Sequence, residues 1–182
     1  MKNQYSKFIK YLEKQDNIFV QRSGDSVYLT DGIVALMIPV IFYDSMIRPL
    51  CGLLPEMKED CTGVKRINDL FVEIRPDGMD IKKAVENLNT DKIIKQSRFL
   101  LEVPPKGKNK KSDTVRIFKA DGGDIIGINE KFVEMFAECS TGEPWRGSGC
   151  WSAPIVQKND DFMIVIFPVR IDPKVFDILK EE

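Results

Sequence analysis

Apolar positions recur along this chain with two different periods. In residues 5–15, Tyr5, Phe8, Ile9 and Leu12 fall at i, i+3, i+4 and i+7, which predicts an amphipathic helix. Lys7, Lys10 and Lys14 make a basic stripe on another of its faces. Residues 18–22 and 27–30 then read as two strands joined by the turn residues Ser23, Gly24 and Asp25. Asp31-Gly32 permits a tight reversal into a third strand over 33–38, which Pro39 ends. Residues 41–50 predict a short helix stopping at Pro49 or at Cys51-Gly52, and 55–65 is a polar, acid-rich loop or boundary. A strand over 69–75, a turn at Pro76-Asp77-Gly78 and a helix over 79–88 follow. In that helix Ile81, Ala84, Val85 and Leu88 keep helical spacing.

The second half is richer in strand signals. Residues 98–103 predict a strand, 104–113 an exposed basic loop, and 114–119 with 125–128 a hairpin across Asp121-Gly122-Gly123. Asn129 suits the N-cap of a helix reaching about residue 138, with Phe132, Val133 and Phe136 on its buried face. Residues 141–152 form a glycine-rich loop carrying Trp145 and Trp151. Strands over 155–156 and 162–171 and a short helix from 173 close the chain. Two apolar runs end alike, in Pro39-Val40 and in Pro168-Val169. Helices alternating with clusters of hairpin strands give an α+β class with mainly antiparallel sheet. The chain divides into units 1–66 and 67–182, or forms one continuous domain.

Composition narrows the chemistry. A chain of 182 residues with 43% hydrophobic content can bury a substantial core. Its net charge of −1 leaves nucleic-acid contact to a local patch. The chain has no histidine, which removes Ser-His and Cys-His nucleophilic pairs and most catalytic zinc sites. Cys51, Cys61, Cys139 and Cys150 lack the tight spacing of zinc knuckles and read as thiols of a reducing compartment. No apolar run is long enough to span a bilayer, and residues 1–10 lack a secretory signal, so a cytoplasmic protein is expected. No enzyme activity, cofactor or metal is expected.

Three segments carry a family resemblance. Leu29-Thr30-Asp31-Gly32-Ile33-Val34-Ala35, preceded by an amphipathic helix and a hairpin, resembles the Ala-Thr-Asp-Gly strand pair of the bacterial DNA polymerase sliding clamps. The segment from Gly127 to Phe136 is similar to that family's Phe-Asn-x-x-Tyr-Leu helix start. Ser152-Ala153-Pro154, followed by residues 164–171, looks like its C-terminus in Met-Pro-Met/Val-Arg-Leu. The likeness covers roughly residues 5–50 and 114–171. It implies a DNA-clamp-like fold, with antiparallel sheets and amphipathic helices packed on one face. There are departures. A clamp subunit has three domains, for which 182 residues are too few, and Glu130, Glu134 and Glu138 make the second helix acidic apart from Lys131.

What the resemblance implies about sites follows by position. In the family, a partner's short peptide enters an apolar cleft. Its walls here would be Thr30, Gly32, Ile33, Val34 and Ala35 with Val165, Phe167, Pro168, Val169 and Arg170. Ile33-Val34 replaces the family's His-Arg, giving a more apolar pocket. The plainer reading is that these are core residues of two strands. Lys7, Lys10 and Lys14 would meet the phosphates of duplex DNA, as would the loop lysines Lys106, Lys108, Lys110 and Lys111; a solvated surface is the alternative for both. Trp145, Trp151 and Arg146 suit either stacking on a partner or plugging a core edge. Asp160-Asp161 and the Asp121 to Asp124 run read as turns. The expected role is a non-catalytic scaffold binding a protein or peptide, associated with DNA in replication or a mobile element, without membrane contact, and assembling as a homo-oligomer. The alternative is an unrelated α+β small-molecule-binding or regulatory protein with no DNA role.

Overall fold

The computed structural model describes residues 6–15, 17–50, 54, 56–58, 62–66, 72–75, 79–104, 112–122, 125–137 and 142–171. The first apolar stripe folds as α1 (Ser6–Leu12) and buries Phe8, Ile9 and Leu12, the positions its period selects. A meander follows: β1 (Asn17–Ser23), β2 (Ser26–Thr30) and β3 (Val34–Pro39). The expected helix after Pro39 forms, but unevenly. A π-helical turn (Tyr43–Ile47) separates α2 (Val40–Phe42) from α3 (Arg48–Leu50). Pro49 supplies the reason, since it lacks an N–H and its ring crowds the carbonyl four residues earlier, so the turn before it widens.

Next come β4 (Thr62–Arg66), β5 (Val72–Arg75) and α4 (Ile81–Glu86), whose N-cap Asp80 accepts from Lys83 N at 3.0 Å. The chain continues through β6 (Lys92–Val103), β7 (Asp113–Ala120) and β8 (Ile125–Asn129). Helix α5 (Glu130–Phe136) starts where expected, with Asn129 Oδ1 accepting from Lys131 N at 3.1 Å. The described chain ends with β9 (Trp145–Gly147), β10 (Ile155–Lys158) and β11 (Met163–Ile166). The basic loop at 105–111 and the helix expected from 173 lie outside the described residues.

These strands form one sheet in the order β5-β4-β1-β2-β3-β11-β10-β9-β6-β7-β8, antiparallel at every described pairing. β4 pairs with both β1 and β5, so the sheet passes unbroken across residue 66. Four expectations shift. The loop over 55–65 ends early in β4, and the glycine-rich loop over 141–152 contains β9, a three-residue strand held by both neighbours. β6 begins at Lys92, because only Ile94 of its first five residues is buried, which leaves no alternating pattern in the sequence. The last strand stops at Ile166, since Pro168 cannot donate to a ladder.

A repeat relates the two halves. In β2–β3, Thr30 pairs with Ala35 across a four-residue loop; in β10–β11, Lys158 pairs with Met163 across another. A shift of 128 residues, which carries Asp31 onto Asn159, superimposes the two hairpins in register. The same shift carries Leu36 onto Ile164, and those two residues are partners in the β3–β11 pair. A pseudo-two-fold axis therefore passes through that pair. It also relates the helices that precede each meander: Lys7-Phe8-Ile9 in α1 answers to Lys131-Phe132-Val133 in α5. The helices lie side by side and antiparallel, because Phe8 meets Phe136 (5.5 Å between ring centroids) while Tyr11 meets Phe132 (5.4 Å).

Alternation along the strands feeds two faces. Val34, Leu36, Ile38, Ile164 and Ile166 point into the main core with α1 and α5. Ala35, Met37, Met163 and Val165 point the other way, against Ile81 and Val85 of α4. The expectation of helices on one face is thus corrected: α1 and α5 share a face, and α4 covers the opposite one. The correction has a plain cause. β3 and β11 are apolar at every position and need cover on both sides.

Candidate functional site

The chemistry of Thr30-Asp31-Gly32 is first of all that of a turn. Asp31 Oδ1 accepts from Ile33 N at 2.9 Å and Val34 N at 3.0 Å. Thr30 Oγ1 donates to Val34 O at 2.7 Å and accepts from Gly32 N at 3.0 Å. Gly32 has φ +87°, a left-handed conformation that glycine adopts without strain. The other oxygen of Asp31 accepts from Tyr11 OH, which ties α1 to this turn. Burial first, then the bond and the charge of Asp31, push the Tyr11 phenol up. The twin turn is built alike, with Asn159 Oδ1 accepting from Asp161 N (3.0 Å) and Phe162 N (2.8 Å).

The two proline-ended segments do adjoin. β3 pairs with β11 from Met37↔Met163 to Val34↔Ile166, and Phe167 N then donates to Ile33 O at 3.0 Å. Here the side chains part company. Val34, Ala35 and Val165 are buried in the protein's own two cores, and Thr30 is buried in its turn. They are therefore not cleft-lining residues. Ile33 and Phe167, at 46% and 37% exposure, stand on the surface beside each other's backbone, with Gly32 and Arg170 also exposed. Pro168 and Val169 are half-buried; Val169 packs on the cluster of Val115, Ile117, Ile125 and Ile171, and its N–H bonds Gly127 O at 2.8 Å. Of ten expected wall residues, four remain exposed, and of these only Ile33 and Phe167 are large apolar side chains.

The basic stripe is better formed than the sequence suggested. Lys7, Lys10 and Lys14 are exposed and share a groove of about 350 Å³ with Lys131, Glu134 and the ring of Tyr11. Lys131 joins through the pseudo-two-fold, an association that no spacing within either helix signals. The acidic character of α5 is also reduced. Glu130 is held by Arg116 through two bonds, one of 2.8 Å from Nε, and both side chains are largely buried. That bond, opposed by desolvation, holds the Arg116 guanidinium above its ordinary value. Glu138 lies outside the described residues.

The remaining candidates resolve quietly. Trp145 is half-buried and meets Phe118 edge-on at 6.3 Å, so it plugs a core edge, whereas Trp151 is exposed. Cys150 Sγ lies 3.3 Å from Ser152 Oγ, and Cys51, Cys61, Cys139 and the loop lysines Lys106, Lys108, Lys110 and Lys111 lie outside the described residues. No helix among the described residues is long and apolar enough to cross a membrane. Comparison with protein-family models and with curated proteins gives no match.

Proposed function

We propose that this protein is a non-catalytic, clamp-like scaffold that takes a partner peptide on the Ile33–Phe167 patch and contacts duplex DNA through the lysines of α1 and α5. The observation that carries the reading is the 3.0 Å bond between Phe167 N and Ile33 O, which brings two segments far apart in sequence into one surface. Exposed apolar side chains at Ile33 and Phe167, with the exposed cation Arg170 three residues further along the chain, suit an apolar peptide with an acidic neighbour. On the adjoining helices, four lysines beside Glu134 in one groove suit a phosphate backbone. The setting that fits such a scaffold is replication or a mobile element, with copies of the chain assembled into a closed oligomer.

Two measurements test this reading. Binding of a labelled duplex of about 30 base pairs is followed by anisotropy at several salt concentrations. Lys7→Glu, Lys10→Glu and Lys14→Glu should each flatten the log–log salt slope by roughly 0.9. A displayed library of apolar peptides is selected on the wild type and on the Ile33→Asp/Phe167→Asp double variant. Peptides that bind a folded double variant equally well refute the patch. A strictly monomeric peak at high concentration in gel filtration refutes the ring. If no duplex binds, the second reading takes its place, a small-molecule-binding or regulatory protein without a DNA role. The charged groove on the opposite sheet face favours that reading.

A further inference from the structure

Where the cover of α4 stops, the face of the sheet away from α1 and α5 opens into a groove of about 350 Å³. Its floor is set by register. Val156 of β10 pairs with Arg146 of β9, and Lys158 lies two residues further along β10, so Arg146 and Lys158 flank Val156 on one face. Met163 of β11, the partner of Lys158, continues the apolar floor. Carboxylates enter from the walls: Glu86 at the end of α4, Glu143 before β9 and Asp160 in the β10–β11 turn.

Opposite charges around a surface groove usually cancel as ion pairs. Here Arg146, Lys158, Glu86 and Asp160 enter no ion pair among the described residues. Arg146 spends one N–H on Thr90 O at 3.4 Å, which leaves most of its donor fork unused. Glu86 accepts from Tyr28 OH at 2.8 Å, which fixes that carboxylate at the groove wall and leaves its second oxygen available. Two cations on the floor, with the Glu86 and Asp160 carboxylates on the walls and no ion pair among these four, match a ligand with both charges. The volume lies within the roughly 300–1,000 Å³ of small-ligand sites, and the apolar floor asks for an apolar body.

We propose that this groove binds a small zwitterion with an apolar body, the class of free α-amino acids bearing branched or aromatic side chains. The carboxylate lies against Arg146 and Lys158, the ammonium faces Glu86 and Asp160, and the side chain covers Val156 and Met163. The assignment is independent of the scaffold reading, since it uses the opposite face of the sheet and none of the same residues.

The test titrates the ¹⁵N-labelled chain with L-leucine, L-phenylalanine, N-acetyl-L-leucine and L-leucinamide, following the amides of Thr90, Arg146, Val156 and Lys158. The free amino acids should shift these amides, and each blocked analogue should bind at least about tenfold more weakly, the loss expected for one charge-assisted bond. Arg146→Ala should weaken L-leucine by a similar factor while leaving L-leucinamide unchanged, and Asp160→Asn should weaken L-leucine while leaving N-acetyl-L-leucine unchanged. Arg146 and Asp160 are exposed, so both variants should fold. Equal binding of free and blocked ligands overturns the proposal. So do shifts confined to other amides, or no shifts up to the millimolar range.

Discussion

Removing the Asp31 carboxylate should separate the work of the turn from the work of the tether. Asp31→Ala deletes two bonds to backbone N–H groups, at 2.9 Å and 3.0 Å, and the bond from Tyr11. Val34 is buried, so its N–H is left without a partner in a place water reaches poorly. Hydrogen bonds to a charged group contribute about 1.5–3 kcal/mol each when shielded and less when exposed, which puts the loss at about 2–4 kcal/mol. For a domain of this size that lowers Tm by roughly 5–15 °C. The repeat supplies an internal control. Asn159 builds the same turn with an amide oxygen, so Asp31→Asn should keep both backbone bonds and cost about 1 kcal/mol or less. Asn159→Ala, which loses two bonds and no tyrosine, should fall between the two. Calorimetric melting of the three variants gives the order. Equal damage from Asp31→Asn and Asp31→Ala would refute the account, because charge and not turn geometry would then be the source. In the proposed scaffold, Asp31→Ala should weaken peptide binding more than Asp31→Asn, since this turn sets the backbone of Ile33.

Three further outcomes follow from the same geometry. Burial first, and bonds to Asp31 and Glu86 second, raise the phenols of Tyr11 and Tyr28 above the usual value near 10. The unfolded chain therefore releases these protons first, so stability is complete below about pH 10 and declines as pH rises past it; denaturant titrations of Tyr11→Phe and Tyr28→Phe should show a shallower alkaline decline. A methyl group at Gly127 would overlap Ile171 Cδ1 and lie 2.9 Å from Val115 Cγ1, so Gly127→Ala should cost about 1–3 kcal/mol; Ile171→Ala should relieve part of that cost in the double variant, as urea unfolding would reveal. Arg116→Ala strands the largely buried Glu130 and should cost about 2–4 kcal/mol, whereas Arg116→Ala with Glu130→Gln should recover much of it; a double-mutant cycle without coupling would count against the pair.

How far the sequence carried this structure depends on which interactions are local. The helix stripes of α1 and α5, the Asn129 cap and the first meander were legible because each rests on residues within about one turn or one hairpin. β9 was not, since Trp145, Arg146 and Gly147 become a strand only when β6 and β10 arrive on either side. The same limit governed the sites. The resemblance groups the apolar residues around Thr30 and Phe167 as one cleft, yet strand alternation sends Val34 and Ala35 to opposite cores and leaves Ile33 and Phe167 outside. Lys131 could join Lys7, Lys10 and Lys14 only through the pairing of two helices more than a hundred residues apart.

The most instructive case is the shared Pro-Val ending. It pointed to the right pair of strands in the wrong register. Matching Pro39 to Pro168 requires a shift of one residue beyond the 128 that the hairpins obey, and a one-residue slip in a strand exchanges its faces. Under that alignment Leu36, which points into the main core, would correspond to Val165, which points away from it. The true equivalents are Leu36 and Ile164, both in the main core and directly paired. The proline likeness is thus a likeness of strand endings, while the symmetry is kept by the paired core residues and by the two Asx turns. Aligned by motif spelling alone, every side chain of the second hairpin would fall on the wrong side of the sheet. Hydrogen-bond register decides which reading of a repeat is physical.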